Sequence, residues 1–565
     1  MKAVLFLLLL TFVSFSCQKR GPHIPDTPQK TATSEHGMVV TAHPLATEVG
    51  VSVLKKGGNA IDASIAVQLA LAVCYPVAGN LGGGGFMVVR TADGKVSALD
   101  YREMAPAAAK KDMYLDSLGN ALSDLSQHGH LAAGVPGTVA GLWASYEKFS
   151  KLKNWKILVQ PAIDLAREGV ALTEREAKNL NEQRSLFEKV NTSPTIFTSK
   201  IWKAGDVLKQ EELAITLELI RDQGVDGFYK GVTAQKIVSE MQRGKGVISA
   251  RDLENYRAKW RVTLSTQYKT FKVYSMPPPS SGGVALIQLL KCVESFDFKT
   301  MPFHDAAMMH LMVEAERRVY ADRAKHLGDA DFYPVPVSAL IDSIYAADRM
   351  SDFDVNKASS SKVIQAGLGQ AEHEETTHLS IVDEEGNAVA VTTTLNGAYG
   401  SSVVVGDAGF LLNNEMDDFS IKPGVANLYG LIGAEANKIE PGKRMLSSMT
   451  PTIVEKNGKL FMVVGTPGGS TIITSVFQAL INVIEYGMDA HTAVAKPRFH
   501  HQWKPDSIQI ERGGFDTLVI QKLKKMGHQF KERKPFGRLE AILVLPDGRL
   551  QGGADPRGDD HARGY

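Results

Sequence analysis

Residues 374–396 read EETTHLSIVDEEGNAVAVTTTLN. The runs HLSIVD and AVAVTTTL flank the turn sequence EEGN, which predicts an antiparallel hairpin. On a strand, side chains alternate faces. Thr376, His378 and Ser380 therefore share one face, and Thr377, Leu379 and Ile381 the other. On the return strand Thr394 and Asn396 lie two apart, on one face. The head of one strand thus brings a hydroxyl toward a hydroxyl and an amide at the end of its neighbour. Threonine is a good strand residue, so the pair is compatible with a purely structural role. The other reading is chemical. A threonine hydroxyl is a poor nucleophile without a base, and the chain has no GxSxG nucleophile elbow. A cut before Thr376 supplies the base: it frees an α-amine, whose reference pKa of about 7.7–8.0 leaves it partly unprotonated at neutral pH.

Outward from this hairpin the texture repeats. MTPTIVEKNGKLFMVVGTP (449–467) predicts a second hairpin turning at KNG, and EAILVLPDGRLQGGAD (540–555) a third turning at Asp547-Gly548. Between them, STIITSVFQALINVIEYG reads as a helix. Near the start, residues 43–74 read as two helices broken by Gly57-Gly58; Ile61, Ile65, Leu69 and Val73 form one apolar face of the second. Residues 150–350 are mostly helical in pattern, and 351–375 are polar and weakly periodic, an exposed loop or linker. Helices interleaved with antiparallel hairpins predict an α+β sandwich of sheets covered by helices, not a doubly wound parallel sheet.

The 565 residues exceed one ordinary hydrophobic core. Lys+Arg number 63 against 62 Asp+Glu, so no basic field calls for nucleic acid, and a small polar ligand is expected. The first residues, MKAVLFLLLLTFVSFSC, carry a lysine, a short apolar run and a small residue before Cys17, the pattern of an export signal. Cys17 in that position resembles the acylated cysteine of a bacterial lipoprotein, giving a periplasmic or envelope-anchored protein. Residues 18–35, polar with three prolines, read as a tether. Cys74 sits in an apolar run and reads as a buried thiol. The glycines at 82–85 lack the Lys-Ser/Thr of a phosphate loop and read as packing or turn glycines. His500 and His501 face opposite ways on a strand, and DADFYP (329–334) lacks the glycine of a calcium loop. No metal or organic cofactor is expected.

The hairpin stretch, together with GFLLNNEMDDFS (409–420), KPGVANLYGL (422–431), KRMLSSMTPTIV (443–454), GTPGGSTIIT (465–474) and PRFHHQW (497–503), resembles the γ-glutamyltranspeptidase family of N-terminal nucleophile hydrolases. LDYREMAP (99–106), GVPGTVAGL (134–142), MPPPSSGGVAL (276–286) and LGDADF (327–332) match upstream, so the resemblance runs from about 36 to 565. It implies a four-layer αββα sandwich formed jointly by a large subunit (36–375) and a small subunit (376–565), cut from one precursor between Glu375 and Thr376. It implies Thr376 as nucleophile, Thr394 as its hydrogen-bond partner, and the Gly468 and Gly469 N–H groups as the oxyanion hole. Arg102, Ser447 and Ser448 would take the α-carboxylate of a γ-glutamyl substrate. Asn396, Glu415 and Asp418 would take its α-ammonium, and Tyr429 would close a lid against Asn396. The implied reaction transfers a γ-glutamyl group from glutathione-like donors to water or to an amino-acid or peptide acceptor. A cephalosporin or glutaryl acylase of the same fold, and a non-catalytic envelope binding protein, are the rival readings.

Overall fold

The computed structural model describes residues 21–364, 376–422, 425, 427, 428, 431 and 433–565. Two seven-stranded sheets dominate it. The first runs, in spatial order, Thr31–Ser34, Leu550–Ala554, Glu540–Val544, Lys459–Gly465, Thr452–Lys456, Phe271–Ser275 and Leu264–Tyr268. The second runs His561–Gly564, Met38–Thr41, Thr377–Val382, Ala388–Thr394, Gly84–Arg90, Val96–Asp100 and Lys259–Arg261. Neighbours in both pair antiparallel.

Strand alternation sorts the apolar side chains into three cores, which define four layers. Leu379, Ile381, Val389 and Val391 face the helices Pro44–Lys55 and Ala60–Cys74. The opposite faces, with Val382, Ala388 and Ala390, meet Ile453, Val463 and Ile542 of the other sheet. Beyond that sheet, Val454, Met462, Val464 and Leu543 pack on the helices Gly282–Val293, Ala306–His326 and Thr471–Ile484. The Ala60–Cys74 helix is buried along its whole length, which explains why small and apolar residues surround it on every side. Its start is fixed by a capping box between Asn59 and Asp62. No helix among the described residues is long and apolar enough to cross a membrane.

All three expected hairpins form. In the first, Thr377 pairs with Thr393 and Val382 with Ala388; in the second the register shifts by a bulge at Val454/Glu455. Two expectations need correction. Residues 21–35 are not a free tether: Thr31–Ser34 is an edge strand on Leu550–Ala554, and Lys30 Nζ donates to the Gly558 and Asp560 carbonyls at 2.8 and 2.7 Å. The mostly helical stretch 150–350 also carries three strands at 259–275, which close one edge of each sheet. The expected signal residues 1–17 and the Glu375 side of the expected cut lie outside the described residues.

Candidate active site

Thr376 stands immediately before the central strand Thr377–Val382, and Thr394 ends its partner. Their hydroxyl oxygens are 3.4 Å apart, and both residues are buried. The Thr394 hydroxyl accepts from the Asn396 N–H at 2.7 Å, which fixes its oxygen beside that of Thr376. The strand end is held from behind. Asn80 Nδ2 donates to the Thr394 carbonyl at 3.0 Å, and Asn80 Oδ1 accepts from the Gly83 N–H and the Thr138 hydroxyl. A Cβ at Gly83 would lie 2.1 Å from the Thr394 carbonyl oxygen. The glycine run is therefore a close-approach device, as its lack of phosphate-loop residues suggested. Below the pair, His378 bonds the hydroxyls of Thr392 at 2.9 Å and Ser380 at 3.1 Å. Burial drives its pKa down to about 3, so it stays neutral and structural.

A narrow pocket opens at the hydroxyl pair, lined by Arg102, Asn396, Glu415, Asp418, Ser447 and Ser448 as well as both threonines. All the substrate-binding residues expected from sequence meet there except Tyr429, which lies outside the described residues. Arg102 is 1% exposed; its guanidinium contacts Glu415 at 2.6 Å and Asp418 at 2.5 Å, with Glu103 behind it at 3.8 Å. Burial alone would lower its pKa, but Glu415 and Asp418 outweigh that and raise it. Burial raises all three carboxyls, against the opposing pull of Arg102; Glu103 reaches about 8. Three acids facing this guanidinium, Glu103 and Glu415 buried and Asp418 partly exposed, make the wall acid-rich, suited to a cation beside a carboxylate. Asn396 adopts φ 75° and donates its side-chain amide to the Asn414 carbonyl at 3.0 Å, which fixes the side chain in the pocket wall.

Gly468 and Gly469 form the turn into the helix Thr471–Ile484, at φ 138° and 51°, a backbone that glycine adopts without strain. Gly469 lines the pocket beside Thr376. Among the described residues neither glycine N–H is engaged by a protein acceptor, which suits them to developing negative charge. Arg323, from the helix Ala306–His326, also lines the pocket and donates to the Ser448 hydroxyl at 3.0 Å. The sequence analysis did not single it out; no local motif marks it.

Among the described residues, His310, Glu314 and His528 form the one group with metal-ligand spacing. They do not fit a metal. The two imidazoles hydrogen-bond each other at 2.7 Å, and Glu314 is taken by Arg317 at 3.2 Å and Arg318 at 2.7 Å. His500 and His501 are buried apart, on Thr474 and Asp506, and Asp329 accepts from the Arg444 N–H.

Comparison with known proteins bears on this geometry. The Gamma-glutamyltranspeptidase family model matches residues 46–565. The glutathione hydrolase proenzyme of Escherichia coli (strain K12) is 48% identical over 537 residues, 94% of this chain and 92% of its own length. Among solved structures, a cephalosporin acylase from Bacillus halodurans superposes with a TM-score of 0.84 at 25% identity, covering 99% of both chains. A Helicobacter pylori gamma-glutamyltranspeptidase chain matches at 44% identity and a TM-score of 0.56, covering 58% of this chain and 95% of its own.

Proposed function

The chain belongs to the γ-glutamyltranspeptidase family, and from that premise we propose that it is a glutathione hydrolase that matures by cutting itself before Thr376. In the uncut chain the Thr376 nitrogen is an amide and cannot act as a base. Thr376 Oγ attacks the Glu375 carbonyl, the Glu375–Thr376 C–N bond breaks as the hydroxyl proton passes to the departing nitrogen, water hydrolyses the resulting ester to a Glu375 carboxylate and the Thr376 hydroxyl, and the freed amine becomes the base for turnover. In turnover Thr376 Oγ attacks the γ-carbonyl of glutathione while its proton passes to the α-amine. The C–N bond breaks, and the amine leaves as cysteinylglycine carrying that proton. Water, or the amine of an amino-acid or peptide acceptor, then displaces Thr376 from the γ-glutamyl ester.

In this reading Thr394 donates to the nucleophile, and the Gly468 and Gly469 N–H groups face the oxyanion. Arg102, Ser447 and Ser448 take the α-carboxylate, while Asn396, Glu415 and Asp418 take the α-ammonium, with Tyr429 as lid. Large and small chains (36–375 and 376–565) stay together as a heterodimer. Residues 1–17 serve export, with Cys17 as a lipid anchor; labelled palmitate on the wild type and not on Cys17→Ser tests that.

The observation that carries the proposal is the 3.4 Å approach of Thr376 and Thr394 at the mouth of an acid-rich pocket. The acids favour a zwitterionic γ-glutamyl group over a glutaryl group, which lacks the ammonium. Purified protein should run as two bands on a denaturing gel and hydrolyse a γ-glutamyl anilide but not its glutaryl analogue. Thr376→Ala should run as one band without turnover. Efficient cutting of that variant, or turnover of the glutaryl compound alone, overturns the reading.

A further inference from the structure

Seven arginines are buried among the described residues. Six have a carboxylate partner: Arg90 has Glu455, Arg102 has Glu415 and Asp418, Arg317 and Arg318 share Glu314, Arg444 has Asp100, and Arg498 has Asp555. Arg323 is the exception. It is 4% exposed, and its recorded bonds go to two neutral hydroxyls, Ser281 at 2.9 Å and Ser448 at 3.0 Å. No carboxylate among the described residues lies within ion-pair distance of it. A buried charge without a counter-ion is costly, and a site that keeps one is complementary to an anion that arrives from outside.

The position of Arg323 says which anion. It lines the nucleophile pocket and also a narrow adjoining cleft walled by Tyr320, Leu431, Gln502, Trp503 and Lys504. Lys504 is half-buried, with its ammonium 4.5 Å from the Trp503 ring, and likewise has no carboxylate partner among the described residues. The nearby acid Asp506 is already held by Arg317 and by the Ser361 N–H. Two cations with no acid in ion-pair distance among the described residues therefore line one small cleft, which shares Arg323 and Leu431 with the pocket at Thr376; Asp418 of that pocket acts on Arg323 only at longer range.

A glutathione-like donor carries two carboxylates. The α-carboxylate of its glutamyl group is provided for by Arg102 and the two serines. The second, at the C-terminus of the leaving peptide, lies beyond the scissile amide, and an amino-acid or peptide acceptor brings a carboxylate to the same side. We propose that Arg323 and Lys504 form a subsite for this second carboxylate, that of the departing peptide or of the incoming acceptor. The proposal rests on the glutathione-hydrolase reading and extends it to the other side of the bond. Arg323 serves both sides: by donating to Ser448 it leaves that hydroxyl's own proton to point at the donor. The planar guanidinium meets a carboxylate with two N–H groups, and Lys504 adds charge at the rim.

The test compares acids with their amides. Without acceptor, kcat/KM is measured for glutathione and for glutathione amidated at its C-terminus, which reads the leaving peptide. With a γ-glutamyl anilide as donor, transfer to glycylglycine and to glycylglycine amide reads the acceptor. The wild type should prefer the acid on the order of tenfold in at least one arm, and the arm that discriminates identifies the source of the carboxylate. Arg323→Gln and Lys504→Gln should each shrink that preference, and Arg323→Lys should keep part of it. If Arg323→Gln fails to fold, Lys504→Gln at its half-exposed position carries the test. Equal use of acid and amide by the wild type overturns the subsite, as does an undiminished preference in Lys504→Gln. An Arg323→Gln enzyme that loses anilide and glutathione turnover by the same factor places that arginine on the donor carboxylate instead. A wild type with no anilide turnover sinks the glutathione-hydrolase reading itself, a result distinct from all of these.

Discussion

At the scale of single residues, the site separates groups that react from groups that hold charge. Thr394 lies 3.4 Å from the Thr376 oxygen, the proposed nucleophile, and is itself fixed by the Asn396 N–H. Thr394→Ala should slow both self-cleavage and turnover by about 10²–10³, the usual cost of removing one preorganised donor, and Thr394→Ser should restore most of it. Time-resolved gels and anilide kinetics measure the two effects separately. Glu103 is a different case, a buried acid behind Arg102 with no hydrogen bond to either oxygen. Burial raises its pKa from 4.5 in the unfolded chain to about 8 in the fold. A raised folded pKa contributes stability that is complete below about 4.5 and is lost as pH climbs through 8. The Glu103 contribution to the thermal midpoint of the wild type should therefore decline as pH rises from about 4.5 to about 8, and Glu103→Gln should flatten that decline. An unchanged slope removes Glu103 from the account.

At the scale of elements, the strand Lys459–Gly465 packs most tightly on the hairpin 377–394 at His378. A Cβ on Gly465 would lie 2.2 Å from Cε1 of His378, whose ring is pinned between Thr392 and Ser380. Gly465→Ala must push the ring and with it the end of the strand that carries Thr394. A loss of roughly 1–3 kcal/mol in urea unfolding is expected, with slower maturation; wild-type behaviour in both would mean the ring has room to move. The hairpin itself was legible in the sequence because a tight turn and strict alternation are local signals. So were the helix pair before Cys74 and the turns at Asn457-Gly458 and Asp547-Gly548. The edge strand Thr31–Ser34 was not: its partner, Leu550–Ala554, lies more than five hundred residues away, and its short polar sequence has no alternation to read. Arg323 was missed for a related reason. Its hydroxyl partners come from 42 and 125 residues away, so only the folded chain reveals that it lacks an acid. Arg102, Glu415 and Asp418 were named by family motif and not by physics; nothing local in DYRE or NNEMDD says that they converge.

At the scale of the whole molecule, the expected cut falls inside an interwoven structure. The hairpin 377–394 lies between Met38–Thr41 on one side and Gly84–Arg90 on the other, and in the first sheet four strands from after residue 375 are flanked on both sides by strands from before it. Neither portion owns a complete sheet. Cleavage before Thr376 should thus leave a single cooperative unfolding transition, seen as coincident loss of far-UV signal and tryptophan fluorescence; two separated transitions would show that the portions fold independently. The interweaving also changes the molecularity of denaturation. Once one peptide bond is severed, melting releases two polymers in place of one, so the midpoint of the mature protein must drift downward on dilution while that of Thr376→Ala holds still. Reassembly then becomes a bimolecular encounter between fragments that lack complete sheets of their own, and the mature protein, once lost to heat, has no unimolecular way back.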